Sequence, residues 1–208
     1  MTKHSGIVYL LDDEPEMVKA LTRLLRGKLF EVRGFTSAIE FLKAYNPQTP
    51  ACLVLDVAMP ELDGLELQRS LTHQGILIPI IFLTGHGDIP MSVRAIKAGA
   101  TDFLTKPVGS DQLIQAVRNA LQTAESRQQT ISETAALAVC LATLTARERE
   151  VMKHVVAGRL NKQIAADLGT GEQNIKFHRA NVMKKMSTES LADLVRVAER
   201  LGIERLSG

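Results

Sequence analysis

Several apolar runs in this 208-residue chain end on residues that could do chemistry. Ile7-Val8-Tyr9-Leu10-Leu11 stops at Asp12-Asp13, Ala51-Cys52-Leu53-Val54-Leu55 stops at Asp56, Ile76–Leu83 stops at Thr84, and Thr101–Thr105 gives way to Lys106-Pro107. Taken singly, each has an ordinary use: Asp12 or Asp13 can cap a helix, and Asp56 can solvate the end of a strand. Brought together, the carboxylates would repel one another, and with Lys106 they leave a charge of about −2, which one hard dication cancels. Magnesium takes one or two carboxylates, a backbone carbonyl and several waters. Such a site favours a further oxyanion, because a dication and an ammonium both stabilise phosphoryl oxygens. One aspartate could then act as a carboxylate nucleophile and form an aspartyl phosphate.

The elements that must position these groups alternate along the chain. Met17, Leu21, Leu24 and Leu25 recur at helical spacing after the first run, and Phe30–Phe35 reads as a second strand. Ser37-Ala38-Ile39-Glu40 fits a capping box opening a helix. Leu65–Leu71 reads as a short helix, and Met91–Ala98 as another that stops at Gly99. The strand expected over Ile76–Leu83 is interrupted only by Pro79. Strand and helix thus alternate five times, which implies a parallel sheet covered on both sides. Ligands of such sheets gather at the carboxyl ends of the strands, where Asp12, Asp13, Asp56, Thr84 and Lys106 stand.

Beyond Gly109 the texture changes. Ser110–Ala157 is 48 residues without Gly or Pro. Leu113, Ile114, Val117 and Leu121 make an apolar stripe, and Gln122–Thr134 is polar, so a fifth domain helix is expected to run on into a helical linker, bent near Thr130-Ile131-Ser132. Thr145-Ala146-Arg147-Glu148 is a second capping box, leading a helix that Gly158 ends. A short helix over Asn161–Leu168, a turn at Gly169-Thr170-Gly171, a longer helix over Glu172–Met186 and a last one over Ser190–Leu201 complete the chain.

Charge is unevenly spread. Residues 1–123 hold 12 basic and 13 acidic side chains, whereas residues 144–208 hold 12 and eight. Gln173–Met186 carries Lys176, Arg179, Lys184 and Lys185 with no acid, a pattern that suits either an anion-binding face or a solvated helix surface. Cys52 and Cys140 cannot supply a disulfide framework, and their apolar neighbours suggest core packing. No stretch approaches the ~18 apolar residues of a membrane span, and the first residues lack a signal peptide's apolar run. A soluble, cytosolic protein without membrane partners is expected.

Residues 6–123 resemble the receiver domain of two-component response regulators. The motifs that carry the resemblance are Leu11-Asp12-Asp13-Glu14, Leu55-Asp56 through Met59-Pro60 to Asp63-Gly64, Leu83-Thr84-Gly85-His86-Gly87-Asp88, and Lys97-Ala98-Gly99 through Asp102-Phe103-Leu104-Thr105-Lys106-Pro107. The resemblance implies a doubly wound sheet of order 2-1-3-4-5, with Asp56 as acceptor of phosphate from a sensor histidine kinase. It further implies Mg²⁺ held by Asp12, Asp13, Asp56 and the carbonyl of Ala58, and Lys106 on the phosphoryl group with a cis bond to Pro107. Thr84 and Phe103 would be the switch pair, the hydroxyl moving to the phosphoryl group and the ring turning into the space it leaves. Ala58 and His86, each two residues past a key position, either tune access of water to the acyl phosphate or fill the loops.

Residues 144–205 resemble the LuxR-type helix-turn-helix domain of FixJ/NarL regulators, through Leu144-Thr145-x-Arg147-Glu148, Gly158-x-x-Asn161-Lys162-x-Ile164-Ala165 and Ile175-Lys176-x-His178-Arg179. The expected organisation is therefore α/β plus all-α: a receiver over residues 1–123, a helical linker over 124–143 and a four-helix DNA-binding domain over 144–208. Glu172–Met186 would be the helix that reads DNA, with Ile175, Val182 and Met186 toward the core. Lys162 (placed before the preceding helix), Lys176, Phe177, Arg179, Ala180 and Lys184 would contact DNA. Lys185 is the weakest candidate, and His178 reads as a packed residue. Gly171 stands where the family has Ser, and Phe177 exceeds the usual small aliphatic. Phosphorylation would favour a homodimer on promoter DNA, with RNA polymerase as a further partner and no enzymatic turnover. Two other readings stay open on residues alone: an aspartyl-phosphate phosphatase or phosphotransferase, and a receiver whose helical end binds protein.

Overall fold

The structure is a computed structural model that describes residues 6–60, 63–85 and 89–203, the side chains of 89–92 excepted. Two compact units divide the chain, residues 1–129 and 130–208.

The first unit alternates β1 (Ile7–Leu11), α1 (Pro15–Arg26), β2 (Glu31–Phe35), α2 (Ala38–Ala44), β3 (Ala51–Asp56), α3 (Gly64–His73), β4 (Ile80–Thr84), α4 (Ile89–Lys97) and β5 (Asp102–Thr105), and then enters α5 (Ser110–Ala142). Among the described residues the strands form one parallel sheet in the order β2-β1-β3-β4-β5. Because successive strand residues face opposite sides, the sheet feeds two cores. Val8, Leu10, Cys52, Val54, Ile81 and Leu83 pack toward Leu25 of α1 and Leu113 and Val117 of α5. Ile7, Tyr9, Leu53, Leu55 and Phe82 pack toward Phe41, Leu67, Leu71 and Ala95 on the opposite side. Both faces are covered, which is why these strands read as unbroken apolar runs instead of alternating ones.

The elements depart from expectation at their edges. β4 begins at Ile80, not at Ile76. The N–H of Ile76 donates to the Leu71 carbonyl (2.9 Å), closing the end of α3, so the apolar residues before Pro79 are spent on a helix terminus. Ser37 stands at the N-cap of α2, but its side chain makes no capping hydrogen bond. The expected helix Met91–Ala98 starts two residues earlier, at Ile89. In keeping with expectation, the fifth helix runs on into the linker segment, as α5 from Ser110 to Ala142.

The second unit adds α6 (Ala146–Val156), α7 (Asn161–Asp167), α8 (Glu172–Lys185) and α9 (Leu191–Arg200). The capping box at its head is complete: Glu148 N–H donates to Thr145 Oγ1 (3.2 Å), and Thr145 N–H donates to Glu148 Oε2 (2.8 Å). Gly158, at φ +78°, ends α6, a left-handed turn that a side chain would strain. Val151, Val155, Ile164, Ile175, Val182 and Leu194 make the core of this unit. Cys140 packs against that core and Cys52 is fully buried in the sheet, where burial pushes its thiol up. Both cysteines therefore serve as packing residues.

Candidate functional site

Strand register brings the rim residues together. Leu11 of β1 pairs with Leu55 of β3, so Asp12 and Asp56 leave the sheet side by side. Thr84 pairs with Thr105 at the far ends of β4 and β5, and Lys106 follows. Its N–H donates to the Thr84 carbonyl at 2.7 Å, and its bond to Pro107 is cis, as the resemblance implies.

The Lys106 ammonium is 2.6 Å from Asp56 Oδ1 and 2.7 Å from Asp12 Oδ2. Both carboxylates are buried, Asp12 at 3% and Asp56 at 5% exposure, and the lysine neutralises half of their charge. Burial pulls the lysine down, but hydrogen bonds and charge from Asp12 and Asp56 outweigh it, so the ammonium is held above its ordinary range. The remaining oxygens are also engaged: Asp12 Oδ1 accepts the Glu14 N–H (2.9 Å) ahead of α1, and Asp56 Oδ2 accepts the Ala58 N–H (2.8 Å). Asp12 is thus both a turn-forming residue and a member of the charged cluster, so the two readings coexist.

Asp13 is half-buried and lines a cleft of about 700 Å³ beside the rim, with Pro15, Ser37, Ile39, Met59 and Pro60 among its neighbours. Among the described residues no group of three or more His, Cys, Asp or Glu side chains is arranged to hold a metal, the carboxylate pair being drawn onto Lys106. The donors at this rim are carboxylate oxygens, with the exposed Ala58 next to them. They suit a hard dication. The pair with Lys106 still carries one net negative charge. Thr84 is buried at 3% exposure. Phe103 is half-buried, packed on the core with its ring 6.3 Å from that of Phe82. His86 lies outside the described residues, as do Glu61, Leu62, Gly87 and Asp88.

Gly64 escaped notice in the sequence except as part of a motif. A Cβ there would meet the Asp56 carbonyl oxygen at 2.4 Å and Phe82 Cε1 at 3.2 Å, so only glycine lets α3 begin against the end of β3.

On the second unit, α8 buries Ile175 and Val182, with Met186 following. Lys176, Phe177, Ala180 and Lys184 are exposed; Lys176, Ala180 and Lys184 are spaced four apart and so stack along one side. Lys162, which the sequence placed before α7, sits exposed inside its first turn. Lys176 Nζ is 3.6 Å from Glu172 Oε1. Arg179 is half-buried and donates to Asn161 Oδ1 (3.2 Å), tying α8 to α7. Phe177 is 63% exposed and meets the His178 ring edge-on at 5.7 Å. Lys185 turns away from this set: its ammonium is 2.6 Å from Glu148 Oε2. Glu148 is buried at 3% exposure, a role that the capping-box spacing did not reveal. Lys185 and the Thr145 N–H hold its carboxyl below the usual range.

Residues 8–118 match the response regulator receiver domain, and residues 142–198 match the LuxR family of bacterial regulatory proteins. The chain is 45% identical over 201 residues to response regulator protein TmoT of Ectopseudomonas mendocina, covering 97% of this chain and 91% of TmoT. It is 40% identical to transcriptional regulatory protein FixJ of Bradyrhizobium diazoefficiens over 95% of this chain and 97% of FixJ. The solved structure of response regulator StyR superposes with a TM-score of 0.84 at 42% identity, covering 95% of this chain and 100% of StyR. The carboxylate rim and the exposed basic helix thus sit on a receiver domain and a LuxR-type DNA-binding domain, and the chain belongs to the FixJ/NarL subfamily of two-component response regulators.

Proposed function

We propose that the chain is a phosphorylation-gated regulator of transcription in which Asp56 accepts a phosphoryl group from a sensor histidine kinase. The observation that carries this reading is the Lys106 ammonium within 2.7 Å of both Asp12 and Asp56 at the carboxyl rim of the sheet. An Asp56 oxygen attacks phosphorus of the phosphohistidine; the P–O bond forms as the P–N bond breaks, and the imidazole leaves with its electron pair and takes up a proton. Lys106 stabilises the charge on the phosphoryl oxygens.

Receiver domains typically bind Mg²⁺, and here Asp12, Asp13, Asp56 and the carbonyl of Ala58 would hold it. Bound there, the ion supplies neutralising charge to the transferring phosphoryl group. The Thr84 hydroxyl turns to the new phosphoryl group, and the Phe103 ring follows into the vacated space. The output face comprises α4, β5 and the start of α5, and α4 offers exposed Val93 and Ile96 to a second copy.

Dimerised, two LuxR-type heads gain avidity for paired half-sites in promoter DNA. Lys162, Lys176, Phe177, Arg179, Ala180 and Lys184 make that contact, and RNA polymerase is the further partner of the bound dimer. The working parts in this reading are a receiver over 1–123, a helical linker over 124–143 and a DNA-binding domain over 144–208, in the cytoplasm and without enzymatic turnover. No helix of the described residues is long and apolar enough to cross a membrane.

The test is phosphorylation by radiolabelled acetyl phosphate followed by DNA binding. The wild-type chain is expected to take up label and bind its duplex more tightly, and Asp56→Asn to do neither; undiminished label on Asp56→Asn moves the nucleophile elsewhere.

A further inference from the structure

We propose that Lys185, the last residue of α8, is a positioning residue that seats the DNA-reading helix against α6 through Glu148 and does not itself contact DNA. The inference rests on the DNA-binding reading above. The sequence puts Lys184 and Lys185 in one basic run with Lys185 the weakest DNA candidate, and the fold separates the two. Lys184 is exposed. The Lys185 ammonium is 2.6 Å from Glu148 Oε2 and donates to the Thr143 carbonyl at 3.2 Å. Oε2 of Glu148 also accepts the Thr145 N–H at 2.8 Å. The end of α8, the cap of α6 and the turn after α5 therefore meet at the Lys185–Glu148 pair.

A phosphate group competing for Lys185 would strand Glu148, at 3% exposure, as a buried and unpaired charge. That loss is far larger than the gain from one more phosphate contact at a wet surface. The lysine accordingly stays with Glu148 when DNA arrives.

What the pair provides is direction. α8 buries Ile175 and Val182 within its length and rests Met183 on the same core, and polar ties add to this apolar contact in fixing rotation about the helix axis. Arg179 ties its middle to Asn161, and the Lys185–Glu148 pair fixes its far end. With both ties in place, Lys176, Phe177, Ala180 and Lys184 keep one orientation toward the groove, which base readout requires and phosphate attraction does not.

The experiment uses the full chain and a duplex selected by the wild type from a random library, alongside a scrambled duplex. Affinity is measured against salt for Lys185→Met, Glu148→Gln, the double variant, and Lys184→Met as comparator. Lys184→Met is expected to lower the slope of log K against log salt by about 0.9, the loss of one phosphate contact. Lys185→Met is expected to leave the slope unchanged. It should weaken the selected duplex about tenfold and spare the scrambled one, so that the discrimination between them falls tenfold. Glu148→Gln, which keeps the cap, should do the same, and the double variant should lose no more than the worse single. A slope lowered by about 0.9 in Lys185→Met would overturn the proposal. So would tighter DNA binding by Glu148→Gln, or losses that multiply in the double variant. If a single variant does not fold, the double variant decides through its slope, since neither charge is left unpaired in it. A wild-type chain whose binding ignored salt would sink the DNA reading itself, a failure distinct from these.

Discussion

The Lys106 ammonium lies 2.6 Å from Asp56 Oδ1, joining the end of β3 to the residue that follows β5 across the carboxyl rim of the sheet. Because Asp12 shares the same ammonium, removing it would leave two buried carboxylates with no cation between them. Lys106→Met is expected to lower unfolding stability by about 3 kcal/mol in the absence of divalent ions, with Mg²⁺ restoring much of it. Urea unfolding with and without Mg²⁺ checks this; a variant as stable as the wild type without the ion would contradict it.

Gly64→Ala places a methyl group 2.4 Å from the Asp56 carbonyl oxygen. The start of α3 must then move away from the end of β3, at a cost of about 1–3 kcal/mol, and Asp56 moves with it. Both stability and the rate of labelling by acetyl phosphate are expected to fall. Unaltered labelling would show that the close approach is irrelevant to the rim.

The Glu148 carboxyl is held low by Lys185 and by the Thr145 N–H. A depressed folded-state value means that the stabilisation is present above the unfolded carboxyl's range, near 4.3, and is lost as pH falls through the folded value. In acid, the amide signals of Thr145 and Lys185 should therefore change together, with a midpoint below that of an ordinary glutamate. Lys106 works in the opposite sense, its folded value being raised. Its contribution is complete below the unfolded lysine's range, near 10.4, and is lost only as pH climbs through the folded value.

Phe177 is 63% exposed and takes no part in the core. Phe177→Ala should leave unfolding stability within about 0.5 kcal/mol of wild type, while weakening binding to the selected duplex. Phe82, which is fully buried, supplies the contrast: its truncation should cost about 3–5 kcal/mol. A destabilised Phe177→Ala, or one with unchanged DNA affinity, would contradict the surface role.

Particular residues explain how much of this was legible in the sequence. The rim residues end apolar runs, and a parallel sheet of alternating strands and helices leaves those ends on one edge, so Asp12, Asp56, Thr84 and Lys106 could be grouped without coordinates. Thr145 and Glu148 sit three residues apart, a local spacing that fixes a capping box. Lys185 already read as the weakest DNA candidate, but Glu148 is 37 residues away, and only the packing of α8 on α6 supplies that partner. Gly64 is a similar case, because its need follows from the proximity of the Asp56 carbonyl and not from any turn pattern. The boundaries of β4 slipped because Ile76 and Leu77 are as apolar as the strand itself, while hydrogen bonding assigns Ile76 to the end of α3.

The charge balance at the rim is most directly tested by titrating the isotope-labelled chain with Mg²⁺ and following the amide and carboxyl signals of Asp12, Asp13, Asp56 and Ala58. Saturable shifts at these positions, together with loss of the contact between Asp56 and the Lys106 ammonium, are the expected result. Signals that stay unmoved at millimolar Mg²⁺ would contradict the account.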